Sequence, residues 1–308
     1  MRAPTGDQYS LRFDGEGRVV TAIVTQVAAG IRALEVDGVA LVETFSEAST
    51  PPGAAGIVLV PWPNRVAGGR WTLAGAAQQL DITEPKQGNA IHGLLRSTGY
   101  RLLEREPHRV LQGATVYPQH GYPFLLETTV EHRLTADGMT VTHTILNESD
   151  QAAPVAVGAH PYLAIGDLPV GELTLTIDAS TRFLTDDKQI PVSEEDVAGT
   201  DFDLTQGRRV AGLTIDHGFG GVATHDGRSV QRLEAPDGRR VELWADDSFG
   251  YVQVFTPQNF AAPDGPRPAV AIEPMTAPAD AFNSGQGLRW LRPGERWELA
   301  WGIRYVAP

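Results

Sequence analysis

The stretch RWELAWGIRYV (296–306), near the carboxyl end of the chain, decides the fold class. Its large apolar residues occupy every second position: Trp297, Leu299, Trp301, Ile303 and Tyr305. Successive side chains of a β-strand point to opposite faces, so this alternation predicts a strand with one face in a hydrophobic core. One buried face and one solvated face are typical of antiparallel sheets.

The same two-residue period recurs along the chain, in MTVTHTILN (139–147) and ELTLTID (172–178). TADG (135–138) and APDG (235–238) lie between strand-like segments and predict hairpin turns. Long helical patterns are scarce, and 33 Gly and 22 Pro interrupt the chain throughout. These features favour a sandwich or barrel of many short antiparallel strands.

The most polar stretch is LTDDKQIPVSEEDVAGTDFDL (184–204), which we interpret as surface loops. The chain has no segment with the composition of a linker, a repeat or a low-complexity tail. The sequence therefore predicts one large all-β domain over residues 1–308.

Charge and composition limit the classes of function. The 308 residues carry 25 basic and 38 acidic side chains, a net charge of -13, which would repel nucleic acid and anionic membranes. No cysteine is present, so disulfides and thiolate metal sites are excluded. The first residues contain no apolar signal-peptide region, and no segment approaches the ~20 apolar residues of a membrane helix. We expect a cytoplasmic protein with a neutral or small ligand.

Several motif matches carry no chemistry. GFGGVA (218–223) fits a loose dinucleotide fingerprint, but a helical pattern does not follow it, so we reject that interpretation. No two histidines have the spacing of a zinc motif. His143 alternates with apolar residues and is predicted to lie in the core or a cleft wall. Four other histidines lie in polar or turn-like contexts and are predicted to be solvated: His108, His120, His132 and His225.

One carboxylate and two histidines lie in unusual surroundings. In VAIEPMTAPADAFNSGQGL (270–288), Glu273 follows an apolar segment and precedes a proline, which predicts a carboxylate at a strand end facing a cleft. His92 lies beside a glycine in GNAIHGLLRSTGY (88–100). His160 ends the apolar part of VAVGAHPYLAIG (155–166). Taken singly, each histidine is also explained as a hydrogen-bonded, half-buried residue.

Two further charged residues lie within three residues of a glycine. Arg65 lies within VPWPNRVAGGRW (60–71), where its guanidinium can form a fork for sugar hydroxyls or a carboxylate, or a salt bridge in a surface turn. Asp216 opens TIDHGFGG (214–221), which predicts a glycine-rich turn. Buried ionisable groups are costly unless they are paired or functional. The set suits proton transfer on a polyhydroxylated ligand and does not suit metal or cofactor chemistry.

In chain order, five segments resemble those of the aldose 1-epimerases, also called galactose mutarotases. The segments are PWPNRVAGGRW, NAIHGLLR, AHPYL, DHGF and AIEPMTAPADAFNSG. The resemblance implies a large antiparallel β-sandwich, the galactose mutarotase-like supersandwich. It also implies interconversion of the α and β anomers of a free aldose, without metal or cofactor.

The resemblance assigns roles to individual residues. Glu273 matches the general base that takes the C1 hydroxyl proton, and His160 matches the general acid that protonates the ring oxygen. His92 matches a second histidine that holds and polarises the reacting oxygens. The remaining matches are predicted substrate-binding residues: Arg65, Asp216, Asn64 and Tyr162.

Departures from the family pattern leave the substrate open. His92-Gly93 is followed by Leu94, where relatives often have glycine, and YLAIG lacks an asparagine that often follows the aromatic residue. These features resemble a divergent bacterial branch. The alternatives are an epimerase of a charged sugar (a hexose 6-phosphate or a sulfonated glucose), with Arg96 as an added cation, or a catalytically inactive carbohydrate-binding protein. A monomer or a homodimer is expected.

A glycosidase is a further alternative, because Glu273 and Asp280 provide two carboxylates. That interpretation leaves the histidines unexplained. We therefore expect Asp280 to cap or brace the loop PADAFNSG (278–285).

Overall fold

The computed structural model describes residues 2–308, which contain 29 strands. In the first half of the chain they are β1 (Gln8–Gly15), β2 (Arg18–Thr25), β3 (Ile31–Val36), β4 (Val39–Ala40), β5 (Val58–Leu59), β6 (Arg65–Val66), β7 (Arg70–Leu73), β8 (Ala76–Gln79), β9 (Ala90–Ile91), β10 (Arg101–Glu106), β11 (Arg109–Val116), β12 (Leu126–Thr135), β13 (Gly138–Asn147) and β14 (Ala153–Val155).

The second half contributes β15 (Gly158–Ala159), β16 (Tyr162–Leu163), β17 (Thr174–Thr176), β18 (Ala179–Thr185), β19 (Pro191–Asp196), β20 (Arg208–Arg209), β21 (Asp216–Val222), β22 (Arg228–Glu234), β23 (Arg240–Asp246), β24 (Tyr251–Phe255), β25 (Phe260–Ala262), β26 (Gly265–Arg267), β27 (Val270–Met275), β28 (Arg289–Leu291) and β29 (Arg296–Val306). Helix is limited, within residues 2–308, to α1 (Ala281–Ser284) and three 3₁₀ turns: Pro52–Ala54, Ala67–Gly69 and Val170–Glu172. In this part of the chain, no helix has the length and apolar character that crossing a membrane requires.

A nine-stranded antiparallel sheet is built around β29, the strand predicted from residues 296–306. Its order is β10-β11-β12-β13-β29-β23-β22-β17-β20. Trp301 pairs with Val141 on one side and Ala245 on the other, and its side chain is 1% exposed. The hairpins predicted at 135–138 and 235–238 connect β12 to β13 and β22 to β23. The all-β antiparallel fold predicted from the alternating pattern is therefore confirmed.

The second large sheet carries the cavity described below. Its order is β19-β18-β21-β24-β27-β15-β5, and β16 also pairs with β27. All six residues of β27 are buried, because neighbouring strands flank it on both edges and apolar layers cover it. A smaller sheet, β1-β2-β3-β4, precedes both.

One connected hydrophobic core joins these three sheets. It includes Leu34 of β3, Val141 of β13 and Ile272 of β27, each at most 1% exposed. The first sheet contacts β12 and β13, so the two largest sheets and the first sheet share this core. The whole is an antiparallel β-sandwich.

The prediction of surface loops over 184–204 was wrong in part. β18 extends to Thr185, and β19 runs from Pro191 to Asp196 as an edge strand paired with it. Most β19 residues are exposed, so the sequence lacks the apolar alternation that marks a half-buried strand. Cross-strand hydrogen bonds at the sheet edge form this strand without a buried face.

Of the five histidines predicted to lie in the core or in solvent, four predictions agree with the structure and one does not. His143 is 1% exposed in the core, where its Nε2 accepts a hydrogen bond from Trp301 Nε1 at 2.9 Å. His120 and His225 are exposed and His108 is half-exposed. His132 is 0% exposed, so its predicted solvation was wrong. It points into the core because it lies in register with the inward-facing positions of β12.

The two buried histidines predict an acid-sensitive fold. Burial lowers the pKa of His132 to about 3, with a smaller effect from His143, whose own pKa burial also lowers to about 3. The unfolded chain binds protons near the ordinary histidine pKa of about 6.5, whereas the folded chain does not. The free energy of unfolding is therefore expected to fall as the pH drops from about 6.5 towards 3.

Replacing His132 with leucine tests this expectation by removing one titrating group of similar volume. Urea unfolding of His132→Leu between pH 7 and 4 should show a flatter pH dependence than the parent protein. The matched control, His120→Leu at an exposed position, should leave the slope unchanged. Equal slopes for His132→Leu and the parent protein would contradict the prediction.

Candidate active site

Six of the seven predicted site residues meet in one cavity of about 180 Å³. Its lining residues are Gly53, Ala54, Asn64, Arg65, Ile91, His92, His160, Asp216, Gln253, Phe255 and Glu273. Pockets for drug-sized ligands typically measure about 300–1,000 Å³, so this cavity suits a smaller molecule. The lining combines charged, amide and imidazole groups with a few apolar side chains, which suits a polar ligand.

Glu273 lies in the middle of β27, so its predicted position at a strand end was wrong. The strand continues through Pro274 to Met275, and Glu273 pairs with Gln253 of β24. The side chain is 3% exposed, and Oε2 has no hydrogen-bond partner within the described chain. A carboxylate in this position is held by the sheet on both sides, which fixes its direction.

His160 faces Glu273 across the cavity floor. It lies between β15 and β16, where its backbone N–H donates to Ile57 O at 3.0 Å and its carbonyl accepts from Gly56 N at 2.8 Å. These bonds fix the side chain so that Nε2 lies 3.3 Å from Glu273 Oε1. That distance permits a proton to pass directly between the two groups.

Burial shifts the titration of this pair in opposite directions. Removal from water raises the pKa of Glu273 well above its ordinary value, and Asp216 adds to the effect while Arg65 opposes it. The same desolvation lowers the pKa of His160 to about 4. Burial therefore favours a protonated carboxyl and a neutral imidazole.

His92 and Asn64 enter the cavity from backbone positions that side-chain-bearing residues seldom adopt. Their φ angles are 63° and 51°, and the His92 N–H donates to Asn64 O at 2.8 Å. Gly93, which follows, also has positive φ, and a Cβ there would lie 2.1 Å from Val60 O. The glycine thus permits a close approach of the protein's own backbone. Such strained conformations persist where the surrounding structure holds them, often at functional sites.

Arg65 reaches the cavity from β6 and is held from behind by an acidic residue. Its Nε and Nη2 donate to the two carboxylate oxygens of Glu84 at 2.9 and 2.8 Å. Nη1 lies 3.4 Å from Asn64 Oδ1. The guanidinium is therefore fixed in one orientation by a two-pronged ion pair.

Asp216 begins strand β21, so the glycine-rich turn predicted there was wrong. The segment 216–222 pairs with β18 and β24, and its glycines lie where Phe183 and other side chains pack closely. Gln253 Nε2 donates to Asp216 Oδ1 at 2.7 Å, which orients the carboxylate in the cavity. The adjacent His217 ring packs against Phe202, with 4.9 Å between ring centroids.

Tyr162 is the one predicted site residue that does not line the cavity. It is 1% exposed, and its hydroxyl donates to Gly53 O at 3.0 Å. Its ring stacks on His160 with 5.2 Å between centroids. Tyr162 therefore supports the imidazole and the 3₁₀ turn that forms one cavity wall.

Two polar side chains that the sequence analysis did not select contribute to the site. Gln253 is a polar residue inside the apolar strand YVQVF (251–255), and that break in the pattern is a usable signal. Glu84 lies in a polar loop and carries no such signal, since only the folded chain places it against Arg65.

The other candidates have different positions. Asp280 braces its loop, as expected, because Oδ1 accepts hydrogen bonds from Ala67 N at 2.9 Å and Asn283 Nδ2 at 2.7 Å. Arg96 does not line the cavity, and its Nη1 donates to Ile91 O at 3.4 Å. Within residues 2–308, no cluster of three or more His, Cys, Asp or Glu side chains has the arrangement of a metal site.

Solved structures with the same fold include sugar epimerases and their homologues. The GalM/aldose epimerase homologue from C. elegans superimposes with a TM-score of 0.83 at 16% identity, covering 97% of this chain and 99% of that one. The galactose 1-epimerase from Lactobacillus acidophilus gives a TM-score of 0.76 at 16% identity, with 97% and 98% coverage. At these identities the likeness establishes the sandwich fold alone.

Sequence comparison establishes the family. The Escherichia coli K12 protein YihR, described as uncharacterized, is 32% identical over 283 residues, which cover 92% of this chain and 89% of that protein. The sequence profile of the aldose 1-epimerase family matches residues 10–304. Because this match spans nearly the whole chain, including every residue that lines the cavity, the protein belongs to the aldose 1-epimerase family.

Proposed function

We propose that this protein is a cofactor-independent aldose 1-epimerase that interconverts the α and β anomers of a free aldose. The single observation that carries the proposal is the contact between His160 Nε2 and Glu273 Oε1 at 3.3 Å, buried at a cavity of sugar size. Ring opening requires one proton to leave the C1 hydroxyl and one to reach the ring oxygen. Two titratable groups held this close supply both transfers.

The proposed reaction assigns one proton transfer to each group. The Glu273 carboxylate takes the C1 hydroxyl proton while His160 protonates the ring oxygen, and the C1–ring oxygen bond breaks to leave an open-chain aldehyde. After rotation about the C1–C2 bond, the same transfers run in reverse and close the ring on the other face. The two residues end the cycle in their starting protonation states, so no net proton is consumed.

A single shared proton reconciles this reaction with the effect of burial on the two pKa values. The pair holds one proton whether it is carboxyl plus imidazole or carboxylate plus imidazolium. Burial favours the first arrangement, and movement of the proton from Glu273 to His160 yields the second. Sugar hydroxyls that hydrogen-bond to both groups stabilise the charged arrangement in place of water.

The other lining residues are assigned to binding. Arg65 and Asp216 present a donor and an acceptor for sugar hydroxyls, and Asn64 lies beside the guanidinium. His92 lies next to His160, with ring centroids 5.4 Å apart, where it can hold a reacting oxygen. Burial lowers the pKa of His92 well below its ordinary value, so it acts as a neutral imidazole. The absence of cysteine suits action in a reducing cytoplasm. We expect the protein to act as a monomer or homodimer.

Anomer exchange at equilibrium is the direct test of the proposal. Exchange NMR on neutral, phosphorylated and sulfonated aldoses, in buffer containing a chelator, should show faster interconversion with enzyme for at least one neutral aldose. Acceleration only for the charged sugars would favour the charged-sugar alternative. Binding without acceleration of any sugar would favour the inactive carbohydrate-binding protein.

Glu273→Gln and His160→Asn are each expected to lower kcat by on the order of 10²-fold or more, because each removes one required proton transfer. The double variant should be little slower than the slower single variant, since the two groups act as a unit. Rates come from anomer-exchange NMR, and circular dichroism checks the fold. Near-normal turnover of Glu273→Gln with a lowered melting temperature would reduce Glu273 to a structural residue.

The dependence of kcat/KM on pH is expected to be bell-shaped over an unusually wide range. Activity falls in acid when the pair takes a second proton, and the low pKa of His160, about 4, places this limb below the ordinary histidine range. Activity falls in base when the pair loses its shared proton, and the raised pKa of Glu273 places that limb above the ordinary carboxyl range. An acid limb near pH 6.5 would contradict the assignment of that limb to a His160 whose pKa burial has lowered.

Tyr162→Phe is expected to lower the free energy of unfolding by about 1 kcal/mol, because it removes the hydrogen bond to Gly53. Sugar affinity should stay within about twofold of the parent value, since the hydroxyl does not line the cavity. Tyr122→Phe, which removes a buried hydrogen bond to Pro154 O, is the matched control. A large loss of affinity without loss of stability would restore Tyr162 as a direct ligand.

A further inference from the structure

The ion pair between Arg65 and Glu84 connects the cavity to a residue outside its lining. Two guanidinium nitrogens of Arg65 are committed to the Glu84 carboxylate, at 2.8 and 2.9 Å. The two side chains are only 12% and 16% exposed, so solvent screens their charges less than it would at the surface. Nη1 makes no bond to Glu84 and lies 3.4 Å from Oδ1 of Asn64, which lines the cavity.

Glu84 is itself held in place before any ligand binds. It closes the loop 84–89, where its carbonyl accepts hydrogen bonds from Gly88 N at 2.9 Å and Asn89 N at 3.3 Å. The Asn89 side chain, 0% exposed, donates to Glu84 Oε2 at 3.3 Å and to Lys188 O at 2.9 Å. The loop 84–89, the Glu84 carboxylate and Lys188, which lies between β18 and β19, therefore form one connected support behind Arg65.

Arg65 is also the only lysine or arginine that lines the cavity within residues 2–308. Its positive charge acts on all three catalytic candidates. It opposes the rise that burial causes in the pKa of Glu273, and it adds to the fall that burial causes in the pKa values of His160 and His92. A negative charge placed 2.8 Å from the guanidinium offsets that influence. The Glu84 carboxylate thus affects the orientation of the Arg65 guanidinium. Its negative charge also weakens the effect of the guanidinium charge on Glu273 and His160.

We propose that Glu84 is a positioning residue, which fixes the Arg65 guanidinium for substrate and offsets its charge at the Glu273–His160 pair. The kinetic part of this inference rests on the proposed epimerase function. The placement of Arg65 by Glu84 does not depend on that function and is measured separately.

Glu84→Gln keeps the size of the side chain and removes its charge. Without the offsetting charge, Arg65 favours ionised Glu273 more strongly, so the alkaline limb of kcat/KM should move to lower pH by about 0.5 unit or more. KM for a neutral aldose should rise on the order of 10-fold, because a charge-assisted bond no longer orients the guanidinium. An alkaline limb that does not move overturns the proposal, whatever the change in KM.

Two further variants separate charge from geometry. Glu84→Asp keeps the charge but is too short to hold the same two-pronged bond. The alkaline limb of kcat/KM should therefore stay at the pH of the parent protein, while KM stays raised. Glu195→Gln removes a comparable ion pair, with Arg182 at 2.6 Å, from side chains that do not line the cavity. The Glu195→Gln control should leave both the alkaline limb of kcat/KM and the KM unchanged. A limb shift of the same size in Glu195→Gln would also overturn the proposal.

A spectroscopic measurement distinguishes failure of this inference from failure of the proposed function. The Arg65 Nε–H resonance, assigned in ¹H–¹⁵N spectra by its loss in Arg65→Lys, should be protected from exchange in the parent protein. It should exchange faster by about 10-fold or more in Glu84→Gln. If the parent protein exchanges no anomers, this result still supports the placement of Arg65. Equal protection in the two proteins overturns the inference.

Discussion

The arrangement of the site depends on a carboxylate buried in the middle of a sheet. Glu273 lies in β27 between β24 and the short strands β15 and β16, in a strand whose residues are all buried. Burying a carboxyl with one oxygen that has no hydrogen-bond partner is costly, and the large, continuous core around it offsets that cost. The same burial shifts the pKa values of Glu273 and His160 in the directions that let them share one proton.

Asn64, Arg65 and His92 are presented by short and irregular segments, whereas Asp216 and Gln253 lie on strands of the second large sheet. Asn64 and His92 adopt left-handed backbone conformations, and β6 pairs with β9 between them at Arg65 and Ile91. Short strands of two residues supply little stability of their own. Their positions follow from close backbone packing, such as that of Gly93 against Val60, and from the core beneath them. The precision of the cavity is thus a property of the whole sandwich.

Charges around the cavity are arranged in two layers. Asp216, Glu273 and Arg65 contact the cavity. Gln253, which also lines it, orients Asp216, whereas Glu84 lies outside the lining and holds Arg65 from behind. Supporting partners of this kind fix the direction of a side chain and adjust the charge that it presents. Tyr162 belongs with this outer layer, since it supports His160 and the Gly53 turn without lining the cavity.

The fold class and six of the eleven residues that line the cavity could be predicted from the sequence. Alternation in residues 296–306 and 139–147 predicted central strands, because side-chain direction in a strand follows directly from sequence position. Motif residues such as Glu273 and His160 were found because charged groups beside apolar runs are rare without a reason. Four features became evident only in the folded chain: the position of Glu273 inside its strand, the burial of His132, the strand at 191–196 and the ion pair of Glu84 with Arg65. Each of these depends on a contact with a segment distant in sequence or on cross-strand register, and a local pattern of residues does not encode such a contact.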